Sequence, residues 1–292
     1  MINSLKRQIQ GLPCWSGAVD PQPLEGGITN FNFTVRDGEE TFLVRLGQDI
    51  VHHHVMRIHE RAASRAAAKA GIAPDVCYAD EGALVIRFIR GKTLDKTDFQ
   101  NREMLKRVVP VIKACHNEVK KHLRGPALAF WVFHVIRDYS QTLEEGDSRM
   151  RPELPRFLAA AETLEEAVTP ITPVFGHNDL LPQNFIDDGG KIWLVDWEYA
   201  GFNSPLFDLG GLSSNCELSP EAEEMLLEQY FETAISNGLR RRYQAMKTAS
   251  MLRETLWSLV SEIYSEIDFD YESYSRSNLA AFEGLFEDFK QM

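Results

Sequence analysis

Residues 175–201 read F-G-H-N-D-L-L-P-Q-N-F-I-D-D-G-G-K-I-W-L-V-D-W-E-Y-A-G, and the fold is decided by this stretch. Asp179 follows His177 closely, Asn184 comes next, and Asp196 lies beyond an acidic turn, Asp187-Asp188-Gly189-Gly190. That turn and the apolar run from Ile192 to Val195 predict a hairpin that folds Asp196 back towards Asn184. A carboxylate such as Asp179 suits removal of a proton from an attacking hydroxyl. Asn184 and Asp196 offer hard oxygen atoms to Mg²⁺, an ion held by one or two carboxylates together with nucleotide phosphates. The expectation is therefore a phosphoryl-transfer site with Asp179 as base and Asn184 and Asp196 at the metal. An H-x-D triplet alone is common, and it is the combination with Asn184, the hairpin and the second Asp that carries the reading. His177 is expected to support backbone.

The same order, H-x-D-L-x-x-x-N and then a metal-binding Asp, is that of kinase catalytic loops, and the upstream sequence is read in that light. Residues 24–30, L-E-G-G-I-T-N, lead into alternating Phe31, Phe33 and Val35, with Asp37-Gly38 as a turn before the strand Phe42 to Leu46. Small residues there would let backbone approach a phosphate, although a plain hairpin uses glycines equally well. Arg45 on the second strand stands where kinases place a phosphate-binding Lys, and its guanidinium can bridge phosphate oxygens. Glu60, on a helix expected over 55–70, is its predicted partner. Gly71 should stop that helix. Strands follow at 76–78 and 83–89, and an adenine ring is expected to meet backbone around Phe88 to Arg90. The lobe boundary is placed at Gly91, giving a nucleotide-binding lobe over 1–91 and a catalytic and substrate-binding lobe over 92–292.

Beyond Gly91 the apolar periodicity turns helical: Met104, Leu105, Val108, Val109, Ile112, Cys115 and His116 mark one core face, and further helices are expected around 130–144 and 154–168. His116 reads as a satisfied core histidine. Consecutive His52, His53 and His54 cannot converge on one metal, and a solvated helix entry is expected. Asp208 is assigned to support, as a helix cap and an acceptor of catalytic-loop amides.

Composition bounds the partners. The chain has 292 residues, 44% of them hydrophobic, enough for one large or two medium domains, and 31 basic against 43 acidic residues give a net charge of -12. Nucleic acid and anionic membrane surfaces are excluded as main partners, and a cationic substrate is favoured. Cys14, Cys77, Cys115 and Cys216 lack metal-ligand spacing, and neither a signal peptide nor a membrane-length apolar run is seen, so a reduced cytoplasmic protein is expected. A homodimer is left open.

In the helix expected after Met246, Ala249, Leu252, Leu256, Leu259, Val260 and Ile263 form a buried stripe, while Glu254, Trp257, Ser261 and Tyr264 fall on the adjacent face. Phe269 and Tyr274 continue this aromatic and acidic chemistry, which would suit an alkylammonium by cation–π attraction. Composition alone favours the plainer alternative, that Trp257 and Tyr274 pack one helix on another.

The chain resembles the choline/ethanolamine kinase family, within the wider aminoglycoside-phosphotransferase and protein-kinase-like fold. The resemblance runs through G-G-I-T-N-F-N-F (26–33), L-V-R-L-G (43–47), Arg57 with Glu60, G-I-A-P (71–74), H-N-D-L-L-P-Q-N-F (177–185), V-D-W-E-Y-A-G (195–201), F-D-L (207–209), L-W-S-L-V (256–260) and I-D-F-D-Y-E-S-Y (267–274). It implies an α+β, two-lobed fold with a small antiparallel N-lobe and a larger, mainly helical C-lobe. It also implies transfer of the ATP γ-phosphoryl group to choline or a related amino alcohol with Mg²⁺. Thr29, Asn30 and Arg45 would then approach the nucleotide, and Glu198, Trp257, Phe269 and Tyr274 would surround the ammonium. Eukaryotic members show W-x-x-W where this chain has Glu254 to Trp257, and an acidic residue where Asn215 aligns. Ethanolamine, thiamine or another amino alcohol therefore stay open as acceptors. An aminoglycoside kinase of the same fold is a separate alternative, and a nucleotide-binding pseudokinase is another, against which the intact Asp179, Asn184 and Asp196 stand.

Overall fold

The computed structural model describes residues 2–24 and 30–292. Gly26, Gly27 and Thr29 lie outside the described residues. The chain opens with helix α1 (Ile2–Gln10), then forms β1 (Gln22–Leu24), β2 (Phe31–Asp37) and β3 (Glu40–Leu46), helix α2 (Arg57–Lys69), and β4 (Val76–Ala79) and β5 (Ala83–Arg87). These strands make one antiparallel sheet in the order β1-β2-β3-β5-β4. Period-two alternation gives the sheet two different faces. Phe33, Val35, Phe42, Val44 and Val85 point to one side and pack with Ile9 of α1. Leu43, Arg45, Leu84 and Ile86 face the other way and line a cleft. Phe31, the first residue of that alternation, is 50% exposed.

Helix α2 has no side-chain cap of its own; the Asp49 carboxylate accepts from the Arg57 amide at 2.7 Å instead. Ala63, Ala66 and Ala67 turn its small face into the main core, and Gly71 takes the left-handed φ of +77° that ends it. The three histidines before this helix correct the sequence expectation. Residues Val51–His53 form a single 3-10 turn, bracketed by an antiparallel bridge between Ile50 and Val55. His52 is exposed and stacks on Tyr264, His53 is buried, and His54 is half-buried and pairs with Asp138 at 2.6 Å. The turn is short enough that adjacent side chains diverge, so one ring enters the core while its neighbours stay at the surface.

After β6 (Lys92–Thr93) the chain becomes mainly helical. Helix α3 (Arg102–Ala114) runs through a π-turn (Cys115–Val119) into a last short turn, α4 (Lys120–His122). Then come β7 (Leu128–Ala129), α5 (Val132–Glu145), α6 (Leu154–Val168) and β8 (Val174–Gly176). The catalytic stretch follows, with β9 (Phe185–Asp187) and β10 (Ile192–Leu194) as the expected hairpin and β11 (Gly201–Asn203) closing it. Helices α7 (Pro205–Asn215), α8 (Pro220–Phe231), α9 (Asn237–Tyr264) and α10 (Tyr271–Lys290) complete the chain. Helix α9 is the central column, packed by α5, α6, α7 and α10. Its stripe of Ala249, Leu252, Leu256, Leu259 and Val260 is buried as expected, whereas Ile263 near its end is 36% exposed. A sheet-based N-terminal lobe thus rests on a larger helical lobe, the two-lobed α+β kinase-like arrangement. No helix among the described residues is long and apolar enough to cross a membrane, and all four cysteines are free.

Candidate active site

The expected catalytic loop is fixed from below by Asp208. Its carboxylate accepts the backbone amides of His177 at 2.8 Å and Asn178 at 2.7 Å, and is itself held by His116 Nε2 at 2.8 Å. Burial opposes the Asp208 charge, but His116, His177 and these amides hold its pKa below the ordinary value. The supporting role read from sequence is therefore present, although α7 is capped by Ser204 and not by Asp208. His177 is completely buried and its Nε2 bonds the Val195 carbonyl at 3.0 Å; burial keeps its pKa low and its ring neutral. It is a brace between loop and hairpin.

Above this brace the predicted residues converge. The Asn184 side-chain amide donates to the Asp179 carbonyl at 2.9 Å, and the Val195 amide donates to the Asn184 carbonyl at 2.9 Å. The hairpin thus returns Asp196 beside Asn184, with Asp196 in the left-handed region at φ +69°. Such a conformation costs a non-glycine residue on the order of 1 kcal/mol and persists where its surroundings fix it. Asn184 and Asp196 line a cleft of about 340 Å³ together with Arg45 and Glu60, and much of its remaining wall is apolar, from Leu24, Ala73, Ile86, Phe88, Ile89 and Ile186. Asp179 and Glu254 open on the opposite side, into a small polar pocket shared with Asn215 and Ser250. Burial, reinforced by the carboxylates of Glu254, Asp196 and Glu198 and opposed by Arg253, pushes the Asp179 pKa up to about 8.

Arg45 meets Glu60 at 2.8 Å, as the sequence predicts, and also Asp196 at 2.7 Å and Glu198 at 3.3 Å. Arg57 binds Glu60 at 2.7 Å, Glu198 at 2.6 Å and the Asn30 side-chain oxygen at 2.7 Å. Glu198 also accepts from the Asn30 amide. Glu198 therefore sits in this ionic cluster and not beside the aromatic residues of α9 and α10, because the turn after Asp196 aims it at the sheet. Two guanidiniums face three carboxylates here, a formal excess of one negative charge. Oxygen atoms of Glu60, Asp196 and Glu198 lie within 4.8 Å of one another. This hard oxygen set, extended by Asn184, fits Mg²⁺ in donor type and in charge.

The hinge reading needs adjustment. Phe88 and Ile89 line the cleft, but the Phe88 amide is already committed to the Thr41 carbonyl at 2.9 Å, and Arg90 is exposed and outside the lining. Around α9, Tyr274 donates its hydroxyl to Glu254 at 2.8 Å, and Phe269 packs on Tyr274 with ring centroids 5.7 Å apart. Trp257 is 6% exposed and donates its indole N–H to the Tyr199 hydroxyl at 2.9 Å. It also packs against His53 and Tyr271, with ring centroids 5.1 and 6.2 Å away.

Two residues escaped the sequence reading. His53 bonds Ser261 at 3.0 Å beneath Trp257, and burial drives its pKa down to about 3. Arg253 lies next to Glu254 in the polar pocket and is 4% exposed. Its position one residue after Leu252, on the buried side of the α9 stripe, was the available signal.

With this geometry in view, similarity to known proteins is specific. The family profile for choline/ethanolamine kinase matches residues 22–219, a span that contains Arg45, Glu60 and the whole catalytic loop. The chain is 26% identical to the protein LicA of Haemophilus influenzae over 275 residues, covering 89% of this chain and 99% of that one. It is 26% identical to a probable ethanolamine kinase of Arabidopsis thaliana over 284 residues, 86% of this chain and 75% of the relative. The crystal structure of a choline/ethanolamine kinase family protein from Mesorhizobium loti superposes with a TM-score of 0.81 at 26% identity, over 99% of this chain and 96% of that one. A match of this extent, with the catalytic loop and its ionic cluster inside it, shows that the chain belongs to the choline/ethanolamine kinase family.

Proposed function

We propose that the protein transfers the γ-phosphoryl group of ATP to the hydroxyl of a small amino alcohol. One observation carries this reading: the catalytic trio bridges two different cavities. Asn184 and Asp196 face the larger, mainly apolar cleft, whereas Asp179, tethered to Asn184, faces the polar pocket. A nucleotide in the first and an alcohol in the second would meet at these three residues. The adenine fits between Ala73, Ile86, Ile89 and Ile186, below the sheet. Arg45 stands on the cleft face of β3, within reach of phosphate oxygens, and Glu60 fixes its guanidinium. Asn184 and Asp196 would hold Mg²⁺, which neutralises charge on the transferring phosphate. Asp179 orients the acceptor hydroxyl and accepts its proton at a carboxylate oxygen. The junction between the lobes falls at Gly91, which lies against the Asp187 carbonyl.

The test is Mg²⁺-dependent ADP release from ATP across ethanolamine, choline, thiamine and several aminoglycosides. Turnover on the order of 1 to 100 per second is expected on an amino alcohol. Release with aminoglycosides alone, or with no acceptor, would refute the proposal.

A further inference from the structure

Arg253 takes no part in the chemistry above, yet it is the deeply buried cation of the acceptor side. It lines the polar pocket together with Asp179. Its guanidinium carbon lies 4.5 Å over the Tyr199 ring and 5.7 Å from the Phe130 ring. Both are within the roughly 6 Å at which a cation is drawn to an aromatic face. Its Nη1 donates to Glu254 Oε2 at 2.9 Å. Burial works against this charge, and Tyr139, Glu254, Tyr199 and Asp179 more than offset that, so the group stays a cation. Trp257 is enclosed between His53 and Tyr271. The Tyr199 and Phe130 faces next to Arg253 are thus filled by the protein's own cation. Of the pocket's carboxylates, Asp208 is committed to His116 and the loop amides and Asp179 serves the acceptor hydroxyl, which leaves Glu254 for a substrate cation, oriented by Tyr274 at one oxygen and Arg253 at the other. Each of those oxygens keeps a further lone pair.

We propose that Arg253 is a specificity-determining residue. It occupies the aromatic seat a quaternary ammonium would need and leaves Glu254 as counter-ion, so the acceptor is an amino alcohol whose nitrogen carries N–H donors. This rests on the function proposed above. A primary ammonium offers Glu254 charge-assisted hydrogen bonds. A trimethylammonium has no N–H to offer Glu254 and finds the Tyr199 face already taken by Arg253, which selects against it.

The experiment is initial-rate ADP release by the full chain with ATP and Mg²⁺, using ethanolamine and its mono-, di- and trimethylated derivatives, the last being choline. The wild type should lose at least about tenfold in kcat/KM along the series. Arg253→Met should raise the choline-to-ethanolamine ratio of kcat/KM by at least about tenfold, whereas Arg253→Lys, which keeps the cation, should preserve the wild-type order. The ratio cancels any change at Asp179 common to both acceptors. If Arg253→Met does not fold, Glu254→Gln decides: it should cost ethanolamine more than choline. A wild type that uses choline as well as ethanolamine overturns the inference alone, as does an unmoved ratio in folded variants. No ADP release with any amino alcohol overturns the proposed function and this inference with it.

Discussion

Arg57 never faces the acceptor, yet its removal should be among the most damaging single changes in the molecule. Its guanidinium satisfies Glu60 and Glu198 at once, and also bonds Asn30 and, through Nε, the Gln48 carbonyl at 2.9 Å. Glu60 is 1% and Glu198 4% exposed. Arg57→Met keeps most of the apolar stem and leaves three carboxylates with Arg45 alone. Stranding a buried charge by removing its partner costs about 3–5 kcal/mol. Arg45 still reaches Glu60 at 2.8 Å and Glu198 at 3.3 Å, which places the loss near the lower end. For a domain of this size about 3 kcal/mol corresponds to a fall in Tm of roughly 6–12 °C. Differential scanning calorimetry of wild type, Arg57→Met, Glu198→Gln and the double variant measures it. Because Glu198→Gln discharges the stranded group, the double variant should be more stable than the sum of the singles, by more than about 0.5 kcal/mol. Mg²⁺ should also raise the Tm of Arg57→Met more than that of the wild type, since the uncompensated negative charge has grown. A Tm within about 2 °C of wild type, or strict additivity in the cycle, would refute the argument that the cluster is held by charge pairing.

Asp179→Asn removes the proton acceptor while keeping its shape, and should lower kcat by a factor on the order of 10²–10⁴ with little change in ATP affinity, measured by steady-state rates and calorimetric titration. His53 predicts a pH effect. Its folded pKa of about 3 lies below the unfolded value of 6.5, so the unfolded chain binds the proton first as pH falls. Stability should be intact above about pH 6.5 and decline towards pH 3, with about 2 kcal/mol lost by pH 5; urea midpoints for wild type and His53→Asn should converge at the acid end, and parallel curves would count against it. At Gly91 an added Cβ would meet the Asp187 carbonyl oxygen at 2.5 Å and Ile186 Cγ2 at 2.9 Å. Gly91→Ala should therefore cost about 1–3 kcal/mol in chemical denaturation, since backbone on β9 has to give way.

The chemistry was legible because it is local. Asp179, Asn184 and Asp196 are brought together by one loop and one hairpin, whose turn residues and apolar run stand in a single stretch. The Arg45 and Glu60 pair was legible for a related reason, because strand alternation and a helix start fix both side chains relative to the same cleft. Helical periodicity likewise marked the α9 stripe and the helix over 154–168, whose bounds coincide with Leu154–Val168.

What the sequence alone left open depends on contacts between segments far apart in the chain. The lone charge pattern of W-E-Y did not show that Glu198 turns to Arg57 and Asn30 and away from the α9 aromatics, since that follows from the left-handed bend at Asp196. Three adjacent histidines gave no hint that one would enter the core, because the choice is made by Ser261 and Trp257, far along the chain. Local periodicity placed Arg253 on a helix but did not supply Tyr199 as the ring beneath it. Residue types and short spacing determined the reaction; only the tertiary structure decided which charges face one another, because burial and partner geometry, not identity, set the energy of a charge.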